Sequence, residues 1–258
     1  MSGDSQTGFK DHFSQKAKAY SQFRPSYPRE LFQWLAKQVP AHERAWDCAT
    51  GSGQSAQGLA EFFFQVAATD ASESQLTHAR AHSRVRYSVG TAEKSGLETD
   101  SVDMITVAQA VHWFDLTAFY AEARRVARPH GVLALWSYGP HLSGVDAIDT
   151  LFKEYGFGII GPYWPPETKR IQEGYRTLAF PFEELSPPAL SLDVNWNLHE
   201  LEGYLSSWSA SQRYFAANGT DPFDLVRERL LAAWGNPDVP RLLRSPLAVR
   251  AGRIHKAP

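Results

Sequence analysis

One cysteine, Cys48, stands among 258 residues. No internal disulfide can form, and a reducing compartment, the cytoplasm, is the expected setting. Positive charge is not in excess either, because 26 Lys and Arg face 28 Asp and Glu and leave a net charge of −2. Proteins that track polyanions carry a basic stripe, so nucleic acid is not an expected partner. No stretch reaches the ~20 apolar residues that cross a bilayer. The opening MSGDSQTGFK has neither the apolar run of a signal peptide nor the Arg-rich character of a transit peptide, and no membrane association is expected. HExxH, CxxC and GxSxG are missing and the nine histidines are dispersed, so no metal is expected. His78 and His82 share a helical face but have no third ligand near them in sequence. Internal repeats, low-complexity tracts and long charge blocks are also lacking.

What is present is a chain with 43% hydrophobic residues, enough for one large core. Apolar runs at 44–49, 65–69, 85–89, 102–108 and 132–138 alternate with helical patterns at 54–63, 72–83 and 116–127. Such alternation predicts a parallel sheet covered on both faces, joined by right-handed crossovers. Two helices, 10–22 and 28–39, are expected ahead of it, linked by the two-proline turn at 23–28. Beyond 138 the periodicity breaks up through a Gly-, Pro- and aromatic-rich region. Alternation then returns at 189–197, helical patterns follow at 198–207 and 222–234, and an apolar run closes at 247–254. A single domain over 1–258 is expected, with a helical lid at 9–39 and a core at 40–139. The segments 189–197 and 247–254 form edge strands, and 140–188 and 198–245 are inserted as a cap where open α/β sheets bind ligands.

The residues from Asp47 to Gly53, DCATGSG, fall between the first strand and a helix. Closely spaced glycines at such a turn expose backbone N–H groups beside a positive helix end, where a nucleotide cofactor approaches the main chain. Asp70, at the end of the second strand and about 20 residues on, is placed to accept hydrogen bonds from both hydroxyls of a ribose. The competing reading makes Asp70 a cap for the helix beginning near Ser72.

Five stretches taken together resemble class I S-adenosylmethionine-dependent methyltransferases: DCATGSGQ, Ala68-Thr69-Asp70, Gly90-Thr91-Ala92-Glu93, VDMITVAQAVHWF at 102–114, and RVARPHGV at 125–132. More loosely, YSQFRPSYP and LEGYLSSWSASQRY are similar to a small-molecule branch that includes trans-aconitate methyltransferase-like proteins. The resemblance implies a Rossmann-like, doubly wound α/β fold with a mostly parallel seven-stranded sheet, an antiparallel edge strand, an N-terminal lid and an inserted C-terminal cap. It implies S-adenosyl-L-methionine as cofactor and a small-molecule acceptor, taken to be a carboxylate methylated on oxygen by a monomer or homodimer. Ala49 stands where the family's first loop glycine normally sits, a replacement compatible with close backbone approach if its φ is negative. His130 replaces the first glycine of the usual Pro-Gly-Gly.

By resemblance, Asp47 orients the loop, Ala49, Gly51 and Gly53 bring the backbone to the methionyl end, and Asp70 with Ala71 takes the ribose. Ala92 and Glu93 flank the adenine, Gln109 and Ala110 close the pocket, and Tyr20 and Arg24 reach in from the lid. On the acceptor side stand Tyr27, Trp113, Tyr204, Trp208 and Arg213. His112 is best placed as a base, against the alternative that it only shapes the pocket. Glu93 also reads as a solvated helix-end residue, Arg24 as a pin for its turn, and Trp113 and Phe114 as packing. A nicotinamide-dependent oxidoreductase on the same sheet and a non-catalytic S-adenosylmethionine-binding module stay open. The first lacks its GxGxxG, and Ala49 gives the second some footing.

Overall fold

The structure, a computed structural model, describes residues 25–255. The expected helix at 10–22, with Tyr20 and Arg24, lies outside the described residues. In chain order the elements are α1 (Arg29–Ala36), β1 (Arg44–Cys48), α2 (Gln54–Leu59), β2 (Gln65–Asp70), α3 (Glu73–Leu76), β3 (Val85–Val89), β4 (Val102–Ala108), α4 (Leu116–Val126), β5 (Ala127–Tyr138), α5 (Asp146–Lys153), α6 (Lys169–Gln172), β6 (Glu183–Leu185), β7 (Ser191–Trp196), α7 (Leu198–Ser206), α8 (Ser209–Asn218), α9 (Arg227–Trp234) and β8 (Arg241–Arg253).

β1 and β4 are buried along nearly their whole length, as strands covered on both faces must be. The sheet order is β3-β2-β1-β4-β5-β8-β6, and β7 also pairs with β8. β3, β2, β1, β4 and β5 run parallel to their neighbours, whereas β8 is antiparallel to β5 and β6. The sheet thus has eight strands rather than seven. The extra one, β6, is only three residues long and carries no alternation that its sequence could display.

Other elements differ from expectation for local reasons. The helix expected over 72–83 shrinks to four residues that bury no side chain. The Arg80 carbonyl instead accepts hydrogen bonds from Tyr87 Oη and Gln57 Nε2, both at 2.9 Å. α5 emerges where no helix was expected, and buries Ile148, Leu151 and Phe152 on one face. Two capped helices behave as their sequences suggest. The Asp115 carboxylate accepts from the Thr117 and Ala118 amides at the start of α4, and Asn197 with Glu200 forms a capping box on α7.

The chain divides into two compact units. One comprises Ser26–Gly139, Glu167–Leu192 and the chain from Pro246 onward, and it contains the parallel sheet. Its core joins Trp46, Val107, Phe119, Leu135 and Tyr175. The other includes Pro140–Pro166 and Asp193–Ser245. Within it Tyr155 is buried with its hydroxyl 2.8 Å from Ser211 Oγ, and Trp208 packs against Tyr155, Trp164 and Tyr204. The segment 140–188, expected as one cap piece, is therefore shared between the units.

In the sheet unit, a buried carboxylate on α4 holds the loop after β3. Glu122 Oε1 accepts from the Ser95 amide at 2.9 Å and from Ser95 Oγ at 2.5 Å, and Arg125 donates to both of its oxygens at 2.7 Å. Arg125 also donates to the Leu97 carbonyl. The Arg125 guanidinium pulls the Glu122 carboxyl down to about 2, with the Ser95 hydrogen bonds assisting and burial opposing. A carboxyl depressed in the folded state stabilises it fully above the usual value of 4.5, and that gain disappears as the pH falls through about 2. Glu122→Gln is expected to lower stability by about 1–3 kcal/mol at pH 7. Urea midpoints of variant and wild type should converge as the pH falls below 4.5, and a constant gap would remove the carboxylate from this role.

Candidate functional site

Strand register determines which side chains meet. Cys48 pairs with Thr69 of β2 and with Val107 of β4, so Ala49, Asp70 and Ala108-Gln109 leave the sheet at one level. Below that level, Asp47 is fully buried, its Oδ2 accepting from Thr50 Oγ1 at 2.5 Å and its Oδ1 from Thr106 Oγ1 at 2.8 Å. Burial pushes its carboxyl up to about 6, against the pull of the threonine hydroxyls. Asp47 thus acts on the glycine loop through Thr50, whose carbonyl accepts from the Gly53 amide at 3.0 Å.

Asp70 stands across this loop. Its Oδ2 accepts from the Gly51 amide and its Oδ1 from the Ser72 amide, each at 2.9 Å. It therefore fastens the loop and also makes the local turn expected of a cap, and its two oxygens keep further acceptor capacity. Ala71, next to it, is exposed. Gly51 has φ +56, and a Cβ built on it meets nothing closer than Gln75 Oε1 at 4.0 Å, so its backbone borders open space. Gly53 is confined for a different reason: φ is +89 and a Cβ would lie 2.3 Å from Tyr87 Oη. Ala49 has φ +54, not the negative value that would make it harmless. Its methyl group occupies the left-handed region that glycine enters freely.

Two further stretches reach the same level. Ala92 is buried, and Glu93 Oε1 accepts from the Asp115 amide at 3.2 Å, tying the loop after β3 to the start of α4. Gln109 has φ +57, and its Nε2 donates to the Tyr138 carbonyl at 3.1 Å. Its Oε1 is buried with no partner among the described residues. Only the amide NH₂ can donate to a carbonyl, so this orientation leaves a true orphan acceptor. Ala110 follows, half-buried.

His112 is only 4% exposed and Trp113 is 56% exposed. His112 Nδ1 lies 3.0 Å from Tyr175 Oη, with the two rings stacked at 23°. Burial lowers the imidazole to about 4, the positive charge of Arg170 adds to this, and Glu167 opposes it. It is neutral at pH 7. Phe114 packs on Phe119, as a core residue does, while Trp113 extends into solvent. Tyr27 lies edge-on to Trp136 and Tyr138 near the end of β5. In the other unit, Tyr204 is buried among His141, Trp196 and Trp208, and Arg213 is exposed on α8.

Residues 46–135 match the family model described as a methyltransferase domain. A Dictyostelium discoideum protein described as a methyltransferase is 34% identical over 235 residues, covering 90% of this chain and 89% of its own. An uncharacterized methyltransferase of Mycobacterium tuberculosis is 38% identical over 124 residues, about half of each chain. A solved structure from Anaeromyxobacter dehalogenans, described as a type II methyltransferase, superposes with a TM-score of 0.84 at 45% identity and covers 91% of this chain and 99% of that one. The chain belongs to the class I S-adenosylmethionine-dependent methyltransferases.

S-adenosyl-L-methionine is the cofactor of this methyltransferase, and the strand-end residues fit it. The Gly51 backbone faces open space, Asp70 has unused acceptor capacity, and the orphan Gln109 Oε1 awaits a donor. Among the described residues no group of three or more His, Cys, Asp or Glu is arranged to hold a metal, and no helix is long and apolar enough to cross a membrane. Sequence reading missed Tyr87, which confines Gly53, and Tyr175, which holds His112. Neither lies in a motif, and only the folded chain brings them to their partners.

Two substitutions separate strain from binding in this methyltransferase. Ala49→Gly is expected to raise stability by about 0.5–1 kcal/mol by relieving the left-handed alanine; a thermal melt with an unchanged or lower midpoint would refute strain at that turn. Asp70→Ala is expected to weaken S-adenosylmethionine binding by about 1–3 kcal/mol. Calorimetric titration giving wild-type affinity would place Asp70 outside the site.

Proposed function

We propose that this methyltransferase acts on a small metabolite and methylates a carboxylate oxygen. The observation that carries this reading is the state of His112, buried, neutral and only weakly basic beside the exposed Trp113. A hydroxyl or ammonium acceptor must lose a proton, and a group lowered to about 4 is a poor base for it. A carboxylate is already ionised near pH 7 and needs no base. S-adenosylmethionine, when bound, supplies a methyl group on a sulfonium whose departure as a neutral thioether lets the C–S bond break as the O–C bond forms. The protein's work is then alignment and exclusion of water.

The loop residues and Asp70 are proposed to hold the cofactor, as Arg24 and Tyr20 do in the same reading. Within the sheet unit, Trp113 and Tyr27 are proposed to contact the acceptor.

Methyl transfer from labelled S-adenosylmethionine to panels of small carboxylates, alcohols and amines tests this directly. Carboxylates are expected to be methylated, with a kcat that varies little between pH 6 and 8.5. Trp113→Ala is expected to raise the acceptor KM about tenfold while leaving cofactor affinity unchanged. Turnover of alcohols or amines alone, rising with pH, would overturn the carboxylate assignment. Tight cofactor binding with no turnover of any panel would favour a binding module instead.

A further inference from the structure

Tyr175 is fully buried in the sheet unit with φ +60, one of five non-glycine residues in the left-handed region among the described residues. It lies in the turn three residues past the short helix α6. Gly174, also left-handed, precedes it, and a Cβ on that glycine would come within 2.8 Å of Ala248 Cβ. The Tyr175 amide donates to the Arg170 carbonyl at 2.9 Å, and its own carbonyl accepts from Arg250 Nη1 at 2.9 Å. Arg250 also donates to the Leu178 carbonyl, and Tyr120 Oη donates to the Ala179 carbonyl. The segment is thus tied to both β8 and α4. A large side chain kept in an unfavourable backbone conformation by this many anchors points to a placement the protein depends on.

What the placement achieves is one contact, Tyr175 Oη to His112 Nδ1 at 3.0 Å. Among the described residues that imidazole nitrogen is the sole hydrogen-bond partner of the phenol, and His112 Nε2 makes no hydrogen bond. Burial pushes the phenol well above its usual value, so it keeps its proton. If Nδ1 carried the imidazole proton, the phenol hydrogen would be left without an acceptor inside the core. The satisfied arrangement has the phenol donating to Nδ1, which puts the proton of the neutral ring on Nε2. The charges that act on the ring, Arg170 and Glu167, both lie in the segment before Tyr175.

We propose that Tyr175 is a positioning residue that holds His112 as its Nε2–H tautomer, so that His112 offers an acceptor oxygen a hydrogen-bond donor instead of a base. This deepens the carboxylate reading and rests on it, since a donor aligns an anionic oxygen without taking a proton. The same geometry makes His112 discriminate against ammonium groups, which carry donors alone and would set two donors face to face.

The test begins with long-range ¹H–¹⁵N spectra of the protein labelled on histidine, with His112 assigned from the missing signal in His112→Gln. The Nε2–H pattern is expected between pH 6 and 8, and the Nδ1–H pattern would overturn the proposal whatever the acceptor proves to be. Tyr175→Phe keeps the ring and is expected to mix the tautomers and lower kcat about tenfold, with cofactor affinity and acceptor KM near wild type. An unchanged tautomer and kcat would refute the role of the phenol. The glutamine amide lies close to the Nε2 position, so His112→Gln is expected to retain activity within about tenfold of wild type while His112→Ala loses more. Equal losses would overturn the donor role. If the spectra show Nε2–H but only alcohols or amines are methylated, the carboxylate reading fails and the tautomer assignment stands. If carboxylates are methylated by an Nδ1–H enzyme, the roles of Tyr175 and of the His112 donor fail and the carboxylate reading stands.

Discussion

Two threonine hydroxyls on one buried carboxylate hold the centre of this molecule together. Asp47 is the last but one residue of β1, and it links Thr50 of the following loop to Thr106 of the neighbouring β4. The carboxyl suffers from burial, as its raised pKa shows, and the hydroxyls compensate by satisfying both oxygens. The consequence is geometric. With β1 tied to β4 and to its own loop, the ends of β1, β2 and β4 stay level, and Asp70 can close on the Gly51 amide.

The other carboxylates of the sheet unit divide by position. At the amino end, Asp103 accepts from the Glu43 and Arg44 amides and pairs with Arg128, tying the entry of β1 to that of β4. Glu122 holds the loop after β3 from the side. Asp70 and Glu93 stand at the carboxyl ends, where a parallel sheet leaves its loops free to meet a ligand. The first group lets the second keep its place, because a strand-end loop stays fixed only if its backbone is satisfied.

Backbone strain follows the same division. Among the described residues, Ala49, Gln109 and Tyr175 are three of the five non-glycine residues with positive φ, and they follow β1, follow β4 and contact His112 respectively. The remaining two, Asp100 and His130, lie in turns at the amino ends of β4 and of the regular part of β5. Strain at turns is common, but strain in a buried tyrosine persists only where the surroundings over-determine it.

The strand runs of the parallel sheet were legible because a strand buried on both faces reads as an unbroken apolar run, as in β1, β4 and β5. The glycine loop and Asp70 were legible because close approach to a main chain restricts residue types locally. α3 was misjudged in length because helical spacing says nothing about Tyr87 and Gln57 capturing the Arg80 carbonyl from elsewhere in the chain. β6 is too short to display a period, whereas α5 carries Ile148, Leu151 and Phe152 at helical spacing, too short a stretch to stand out ahead of the Gly-, Pro- and aromatic-rich segment 156–166. By itself the sequence determined the fold class and the family, both of which depend on neighbours in the chain or on short motifs. Only the tertiary structure decided the sign of φ at Ala49, the buried neutrality of His112 and the partner that holds it. Those depend on desolvation and on contacts across 63 positions, which no local pattern encodes.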